Sequence, residues 1–118
     1  MDSCSKHVEK YKRNKEFMQM DALDDFKDWY ATVGFYCSLH LIEGYLAKFY
    51  NRDIKNHKDR VMEVTKESVL KSCGSSYLTL YHESIKARYY DKVFSDKDME
   101  IIKSSLEDVE KTLIPKLA

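Results

Sequence analysis

The sequence predicts an all-α protein built as an up-and-down antiparallel bundle of four to five helices. Three glycines and one proline in 118 residues leave little material for the turns of an all-β fold. Apolar residues instead recur at helical spacing along most of the chain. Residues 1–118 are predicted to form a single helical-bundle domain, because a chain of this length supports one hydrophobic core.

The first two predicted helices cover residues 4–20 and about 25–50. Val8, Tyr11 and Met18 mark the apolar side of the first helix. Between the two helices the linker "DALDD" supplies aspartates that suit N-cap and first-turn positions. The second helix is apolar over a broad face, which is typical of the central helix of a bundle.

Two further helices are predicted at residues 57–72 and 77–91, separated by the breaker "CGSS" at 73–76. In this interpretation Gly74 ends the earlier helix as its C-cap, a position where glycine is common. The earlier helix is the more polar of the two.

The last helix is predicted to begin after Ser95. Ser95 and Asp98 stand three residues apart, as in a capping box with aspartate replacing the usual glutamate. An apolar stripe then follows at helical spacing, and Pro115 is predicted to end the helix. The residues of this stripe are Met99, Ile102, Leu106, Val109 and Leu113.

The apolar faces of these helices predict both a core and a dimer. Aromatic residues make up 13% of the chain, which leaves more apolar surface than one small bundle can bury. We therefore expect a homodimer. The residues predicted to be buried are Trp29, Tyr36, Leu41, Tyr45, Ile85 and Leu106.

The composition of the chain indicates which kinds of partner and which cellular compartment to expect. With 20 basic and 20 acidic side chains the chain lacks the basic field of a duplex-binding protein, so RNA or nucleotide contact would need a local basic patch. The N-terminal residues are highly charged and lack the apolar segment that a secretory signal sequence contains. The apolar run 29–50 is interrupted too often by polar residues and glycines to span a membrane. Three cysteines, an odd number, favour free thiols. A cytoplasmic protein is expected.

The cysteines and histidines predict no metal site and no cofactor. Neither residue type forms a ligand set with usable spacing. His40 and Glu43 stand three apart in "HLIE", but di-metal bundles place glutamate before histidine and repeat the motif on a second helix. His40 is therefore predicted to be a core histidine with a hydrogen-bond partner.

The segment "YNRDIKNHKDR" at 50–60 predicts the functional site. In an antiparallel bundle the helix after it runs away from this end, and the helix 77–91 returns to it. The basic and aromatic side chains of both segments would then gather at one end of the bundle. The predicted ligand-binding residues are Arg52, His57, Arg60, Ser84, Arg88 and Tyr89.

Three functions are open for this cluster. An arginine such as Arg88, ending an aromatic stripe, can hold a phosphate or carboxylate by paired hydrogen bonds. Alternatively, Arg52 and His57 are the candidate catalytic pair of a metal-independent ribonuclease, in which histidine moves a proton and arginine stabilises the charged phosphorane. The third is a purely structural dimer, in which aspartates neutralise the cluster. The candidate aspartates are Asp53, Asp59, Asp91 and Asp96.

Three pieces of the chain occur in an order that resembles the small prokaryotic members of the HEPN superfamily. They are "DWYATVGFYCSLHLIEGYLAKF", "NHKDR" and "YLTLYHESIKARYYD", which together cover about 28–91. The resemblance implies a four-to-five-helix bundle that usually dimerises. Members occur beside small nucleotidyltransferases in toxin–antitoxin pairs, and several branches are metal-independent ribonucleases. The matched positions are His57 and Arg60 of an "HxxR" elbow, and Ser84, Ala87, Arg88 and Tyr89 of an "SxxARY" piece.

In one respect the chain differs from the ribonuclease members of this superfamily. Ribonuclease members have an arginine and a histidine near the start of the last helix, whereas residues 89–118 of this chain contain neither. Only Arg52 and His57, in the middle of the chain, match such a pair. The sequence therefore favours an accessory or binding module for a phosphate-bearing ligand or an acidic partner. The endoribonuclease and the structural dimer remain the alternatives.

Overall fold

The computed structural model describes residues 3–20, 23 and 25–118, and within them the protein is all-α. The prediction of an all-α fold is confirmed. No strand occurs in these residues, and none of their helices is long and apolar enough to cross a membrane. The helices are α1 (Cys4–Met18), α2 (Lys27–Tyr50), α3 (His57–Lys66), α4 (Gly74–Tyr89) and α5 (Asp96–Leu117), and a short 3₁₀ turn, Leu70–Ser72, precedes α4.

The central position of α2 is confirmed, since it packs against α1, α4 and α5. It runs antiparallel to α1, because His7 of α1 faces His40 while Met18 reaches Gly34. A Cβ on Gly34 would lie 3.1 Å from Met18 Cε and 3.3 Å from Ile102 Cγ2. The missing side chain thus allows three helices to approach closely at this point.

Contacts at both ends of α2 fix the direction of α5. At the start of α2, Lys27 Nζ lies 3.0 Å from Asp96 Oδ1. Near its end, Lys48 Nζ donates to the carbonyl of Lys116 at 2.8 Å. The first and last turns of the two helices are therefore side by side, and α5 runs parallel to α2.

Contacts between α4 and α5 show that α4 runs the other way. Ser76, at the start of α4, donates to Asp108 in the middle of α5 at 2.7 Å. Beyond the end of α4, Lys92 lies 3.4 Å from Asp98, in the first turn of α5. The four long helices α1, α2, α4 and α5 thus alternate in direction.

The segment between α2 and α3, residues 51–56, departs from the expected path; we call it the return segment. Asn51 ends α2 in the left-handed conformation (φ 51°), which asparagine tolerates better than most residues. The chain then runs back along α2, so that Ile54 lies beside Glu43 and His57 beside Phe35, at a ring distance of 6.4 Å. The prediction of a simple elbow at one end of the bundle is wrong.

Helix α3 is shorter than predicted and ends at Lys66, not at residue 72. Glu67 takes an extended conformation (ψ 138°), and its carboxylate accepts the backbone N–H groups of Val69 and Leu70. Tyr50 donates to the same carboxylate at 3.3 Å. These bonds offer the backbone an alternative to the helical pattern, which the apolar spacing did not reveal.

Two predicted helix ends are wrong. Gly74 is the first residue of α4 and not a C-cap, and a Cβ there would lie 3.0 Å from the carbonyl oxygen of Val64. Its role is close packing of α4 against α3. Pro115 lies inside α5, which continues to Leu117. A proline near the end of a helix removes only one hydrogen bond, and Lys48 secures the carbonyls of Lys116 and Ala118.

The capping box of the last helix is confirmed. Ser95 Oγ accepts the backbone N–H of Asp98 at 3.1 Å, and the Asp98 carboxylate accepts the N–H of Ser95 at 2.9 Å. The aspartate caps predicted for α2 fall partly on Asp21 and Asp24, which lie outside the described residues. The residue that precedes α2 is Phe26, and it makes no side-chain cap.

The core prediction is correct in part. Leu41, Tyr45 and Leu106 are buried, whereas Trp29 is 55% exposed. Trp29 lies in the first turn of α2, and an apolar stripe is buried only over the length that neighbouring helices cover. Tyr36 and Ile85 are half-buried because they line a cleft.

Candidate functional site

A cleft of about 390 Å³ opens between α2, the start of α3 and α4. Aromatic and aliphatic side chains form its walls, and its polar lining is basic. Lys55 and Tyr36 belong to the lining and were not among the predicted site residues, although Lys55 lies two positions before His57. The lining residues are Phe35, Tyr36, Leu39, Lys55, His57, Arg60, Tyr81, Ile85, Arg88 and Tyr89.

His57 is the first residue of α3, and two tyrosines of α4 hold its ring. Asn56 caps the helix by accepting the N–H of Asp59 at 2.9 Å. The imidazole stacks on Tyr81 with ring centroids 3.4 Å apart and an angle of 20° between the planes. Its Nδ1 lies 3.4 Å from the hydroxyl of Tyr77. The orientation of the imidazole is therefore set by α4.

The environment of His57 lowers the pKa of its imidazole below the usual value. Burial is the main cause, and electrostatic interaction with Arg60, His82 and Arg88 acts in the same direction. An imidazole with an ordinary pKa is already mostly neutral at pH 7, and this one is more so. The fixed positive charge of the cleft therefore comes from its arginines and its lysine.

Arg60 contributes little of that charge, because Glu43 neutralises it. Its Nε donates to Glu43 Oε1 at 2.7 Å, and Nη2 donates to the carbonyl of Ile54 at 3.1 Å. The Arg60 and Glu43 side chains are only 8% and 3% exposed. This buried pair joins α2 to α3 and holds the return segment between them.

Arg88 is held in place by its own helix. Its Nε donates to the carbonyl of Ser84 at 3.2 Å, and Nη2 contacts Ser84 Oγ at 3.3 Å. The guanidinium carbon lies 5.2 Å from the ring centroid of Tyr89. Ser84 is buried and does not line the cleft, so its role is to position Arg88. Tyr89 is 72% exposed.

Neither Arg88 nor Lys55 forms an ion pair with a carboxylate of the described residues. Two of the four predicted neutralising aspartates are engaged elsewhere, Asp59 with Asn56 and Asp96 with Lys27. Asp53 and Asp91 form no ion pair with a cation of the described residues. Glutamates neutralise the other two arginines of the predicted cluster. Lys55 and Arg88 are thus two cations of the cleft that no carboxylate of the described residues neutralises.

Arg52, the proposed catalytic partner of His57, lies outside the cleft. Its Nη1 is 2.5 Å from Glu63 Oε1, so it bridges the return segment and α3. The structure therefore brings together His57, Arg60, Arg88 and Tyr89, but not Arg52. They meet along the side of the bundle, where the return segment carries His57 back towards Phe35.

His40 and Glu43 face different partners. His40 Nδ1 lies 3.2 Å from His7 Nδ1, which confirms the predicted hydrogen-bond partner, although His40 is only half-buried. Glu43 binds Arg60 and the backbone N–H of Ile54. Neither partner could be identified from spacing, because each lies on another segment.

The cleft lies on the side of the bundle, where the return segment and α4 bring His57 and Arg88 to the same surface. A comparison of the chain with known protein families, curated proteins and solved structures finds no match. The geometry and charge of the cleft are therefore the basis for a functional interpretation.

Proposed function

We propose that the protein is a HEPN-like up-and-down helical bundle, an accessory or binding module that holds a phosphate-bearing ligand in the cleft between α2, α3 and α4. One observation carries the proposal. Lys55 and Arg88 line the cleft without a carboxylate partner in the described residues, whereas Arg52 and Arg60 are paired with Glu63 and Glu43.

An anion is the ligand that this charge pattern favours. Two cations that face one cleft repel each other, and a bound phosphate removes the repulsion while accepting hydrogen bonds from both. Arg88 is suited to this role because Ser84 fixes its Nε and Nη2 edge, leaving the other edge of the guanidinium for a ligand.

The aromatic walls favour a ligand that has a flat ring as well as a phosphate. Tyr36 and Tyr89 flank the basic residues, and Tyr89 is largely exposed. Nucleobases stack on such side chains without regard to base identity. A nucleotide or the end of an RNA strand therefore fits the lining better than inorganic phosphate alone. An acidic surface on a partner protein would use the same cations.

The geometry supports binding over RNA cleavage. The candidate catalytic pair is not formed, because Arg52, the cation expected to stabilise the phosphorane beside His57, is paired with Glu63 outside the cleft. The His57 ring stacks on Tyr81, and its Nδ1 is within hydrogen-bond distance of the Tyr77 hydroxyl. We therefore propose a non-catalytic role for His57, in which the imidazole contacts the ligand or fixes the wall of the cleft.

Exposed apolar residues support a homodimer as the working state. Phe26 and Trp29 are 54% and 55% exposed at the start of α2, and Tyr90 and Val93 are 67% and 90% exposed after α4. Contiguous exposed apolar patches mark association surfaces, and these residues lie at one end of the bundle, since the start of α2 and the segment after α4 both contact the start of α5. We expect sedimentation at micromolar concentration to show a dimer; a monomer would contradict this part of the proposal. A small nucleotidyltransferase is the partner protein that the HEPN resemblance implies.

The cleft is tested by titrating the protein with inorganic phosphate and with a nucleoside monophosphate while observing the His57 imidazole by NMR. We expect saturable shifts in the wild type. Arg88→Ala should remove the response, because the main hydrogen-bond donor to the phosphate is lost. Loss of one charge-assisted bond is worth about 1.5–3 kcal/mol, or roughly 10–150-fold in affinity.

The matched control is Lys86→Ala, which removes a positive charge from the same helix at a residue that does not line the cleft. It should leave the titration unchanged; equal loss in both variants would indicate a nonspecific charge effect. An RNA cleavage assay without metal should show no activity. Cleavage that His57→Ala abolishes would instead establish the ribonuclease alternative.

A further inference from the structure

Three side chains that can bind a metal ion, each from a different segment, lie close together around Glu43. They are His7 of α1, Glu43 of α2 and Asp53 of the return segment, and their ligand atoms lie within 4.8 Å of one another. His7 and Glu43 are 5% and 2% exposed, and Asp53 is half-buried. We infer that these residues form a binding site for a divalent transition metal of the Zn²⁺ class.

The donor set matches that class of ion. One imidazole nitrogen and two carboxylate oxygens suit zinc and its first-row neighbours, with a water completing a four-coordinate site. Ligands bound at about 2.1 Å in a tetrahedron are about 3.4 Å apart, so the present atoms need to approach by up to about 1.4 Å. The Asp53 side chain can supply this movement by rotating about its own bonds, because it is only half-buried.

The neighbours of the ligands orient them as the outer groups of metal sites do. His7 Nδ1 lies 3.2 Å from His40 Nδ1, so a proton on His7 Nδ1 leaves Nε2 as the ligand atom. Glu43 Oε1 accepts from Arg60 and Oε2 from the N–H of Ile54. Each carboxylate oxygen has two lone pairs, so both still have capacity to bind a cation.

The charge of this group also favours a cation. Glu43 and Asp53 contribute two negative charges, and Arg60 contributes the positive charge that pairs with Glu43. Arg60 therefore offsets the charge of Glu43, and the Asp53 carboxylate forms no ion pair with a lysine or arginine of the described residues. Buried carboxylates are stabilised by pairing or by metal coordination, and a divalent ion supplies the missing charge.

The sequence predicts no metal site because ligand spacing identifies only those sites whose ligands are close to one another along the chain. Here the ligands stand at positions 7, 43 and 53. They meet because α1 is antiparallel to α2 and the return segment runs back along it. His7, Glu43 and Asp53 do not line the cleft, although Arg60 lines it and also binds Glu43. Asp53→Asn and Arg88→Ala therefore each change a residue of only one of the two sites.

The test is a calorimetric titration of tag-free protein with Zn²⁺, combined with absorption spectra of the Co²⁺ form. We expect one ion per chain and a cobalt spectrum without the charge-transfer band of thiolate ligation. Asp53→Asn and His7→Gln should each weaken binding at least about tenfold. Asp53→Asn is the decisive variant, since a half-buried residue outside a helix tolerates this change without unfolding.

Two matched controls keep the inference falsifiable. Asp59→Asn alters an exposed aspartate six positions further along, and His82→Gln alters an exposed histidine of α4. Both should bind Zn²⁺ as the wild type does. The inference is overturned by the lack of saturable binding at one ion per chain, by wild-type affinity in Asp53→Asn, by a thiolate band, or by equal weakening in the controls.

Discussion

Replacing Arg60 with methionine is expected to lower the free energy of unfolding by about 3–5 kcal/mol. Arg60 and Glu43 are 6% and 2% exposed, with Nε and Oε1 2.7 Å apart. Removing the guanidinium leaves a buried carboxylate with the N–H of Ile54 as its one remaining donor in the described chain. The carbonyl of Ile54 loses a donor as well. Urea unfolding of the metal-free protein measures the change.

A second variant separates the pair from the burial of a single charge. Glu43→Met with Arg60→Met replaces both ions by apolar side chains, and much of the lost stability should return. Arg13→Met is the control, since Arg13 pairs with Glu9 at 3.5 Å and both side chains are more than half exposed. It should change stability by less than about 0.5 kcal/mol. A loss below about 1 kcal/mol in Arg60→Met would show that water reaches the pair.

Leu41→Ala is expected to cost about 2–5 kcal/mol of unfolding free energy. Leu41 is 1% exposed in the middle of α2, where it packs within the core of the bundle. Truncation removes the transfer free energy of the lost methyl and methylene groups and leaves a cavity that rigid helices close only partly. Thermal or urea unfolding with two-state analysis gives the value.

The control for this cavity is Ile114→Ala. Ile114 lies on α5 and is 41% exposed, so its truncation removes little buried surface and should cost less than about 1 kcal/mol. A loss below about 1 kcal/mol in Leu41→Ala itself would mean that the buried face of α2 has been assigned incorrectly.

Local patterns predicted the helices better than their ends. The apolar period of α2 and the Ser95 capping box are properties of a few consecutive residues, and both predictions are confirmed. The errors at Gly74 and at residue 67 have a different origin. Gly74 is set by the approach of the Val64 carbonyl, and α3 ends where Glu67 binds its own backbone. Such contacts become visible only once two segments are packed together.

The candidate site was predictable in part of its residues but not in its ion pairs. Residue types, combined with the expected antiparallel packing, predicted His57, Arg60 and Arg88, and all three line the cleft, whereas the predicted Arg52 and Ser84 do not. Which arginines would be neutralised depended on Glu43 and Glu63, whose side chains reach across from α2 and α3. Aspartates close to the arginines in sequence were the predicted counterions, because a sequence does not show which side chains of other segments lie nearby. The path of the return segment, which decides where the cleft lies, has no strong local signal.

The length of the return segment is constrained by contacts at both of its ends. Asn51 turns the chain at the end of α2, and Ile54 is clamped from both sides, donating its N–H to Glu43 and accepting from Arg60 through its carbonyl. An extended residue spans about 3.3 Å, so one residue more or fewer would shift His57 by roughly its whole stacking distance from Tyr81. The number of residues between α2 and α3 is therefore as tightly constrained as the identities of the residues that line the cleft.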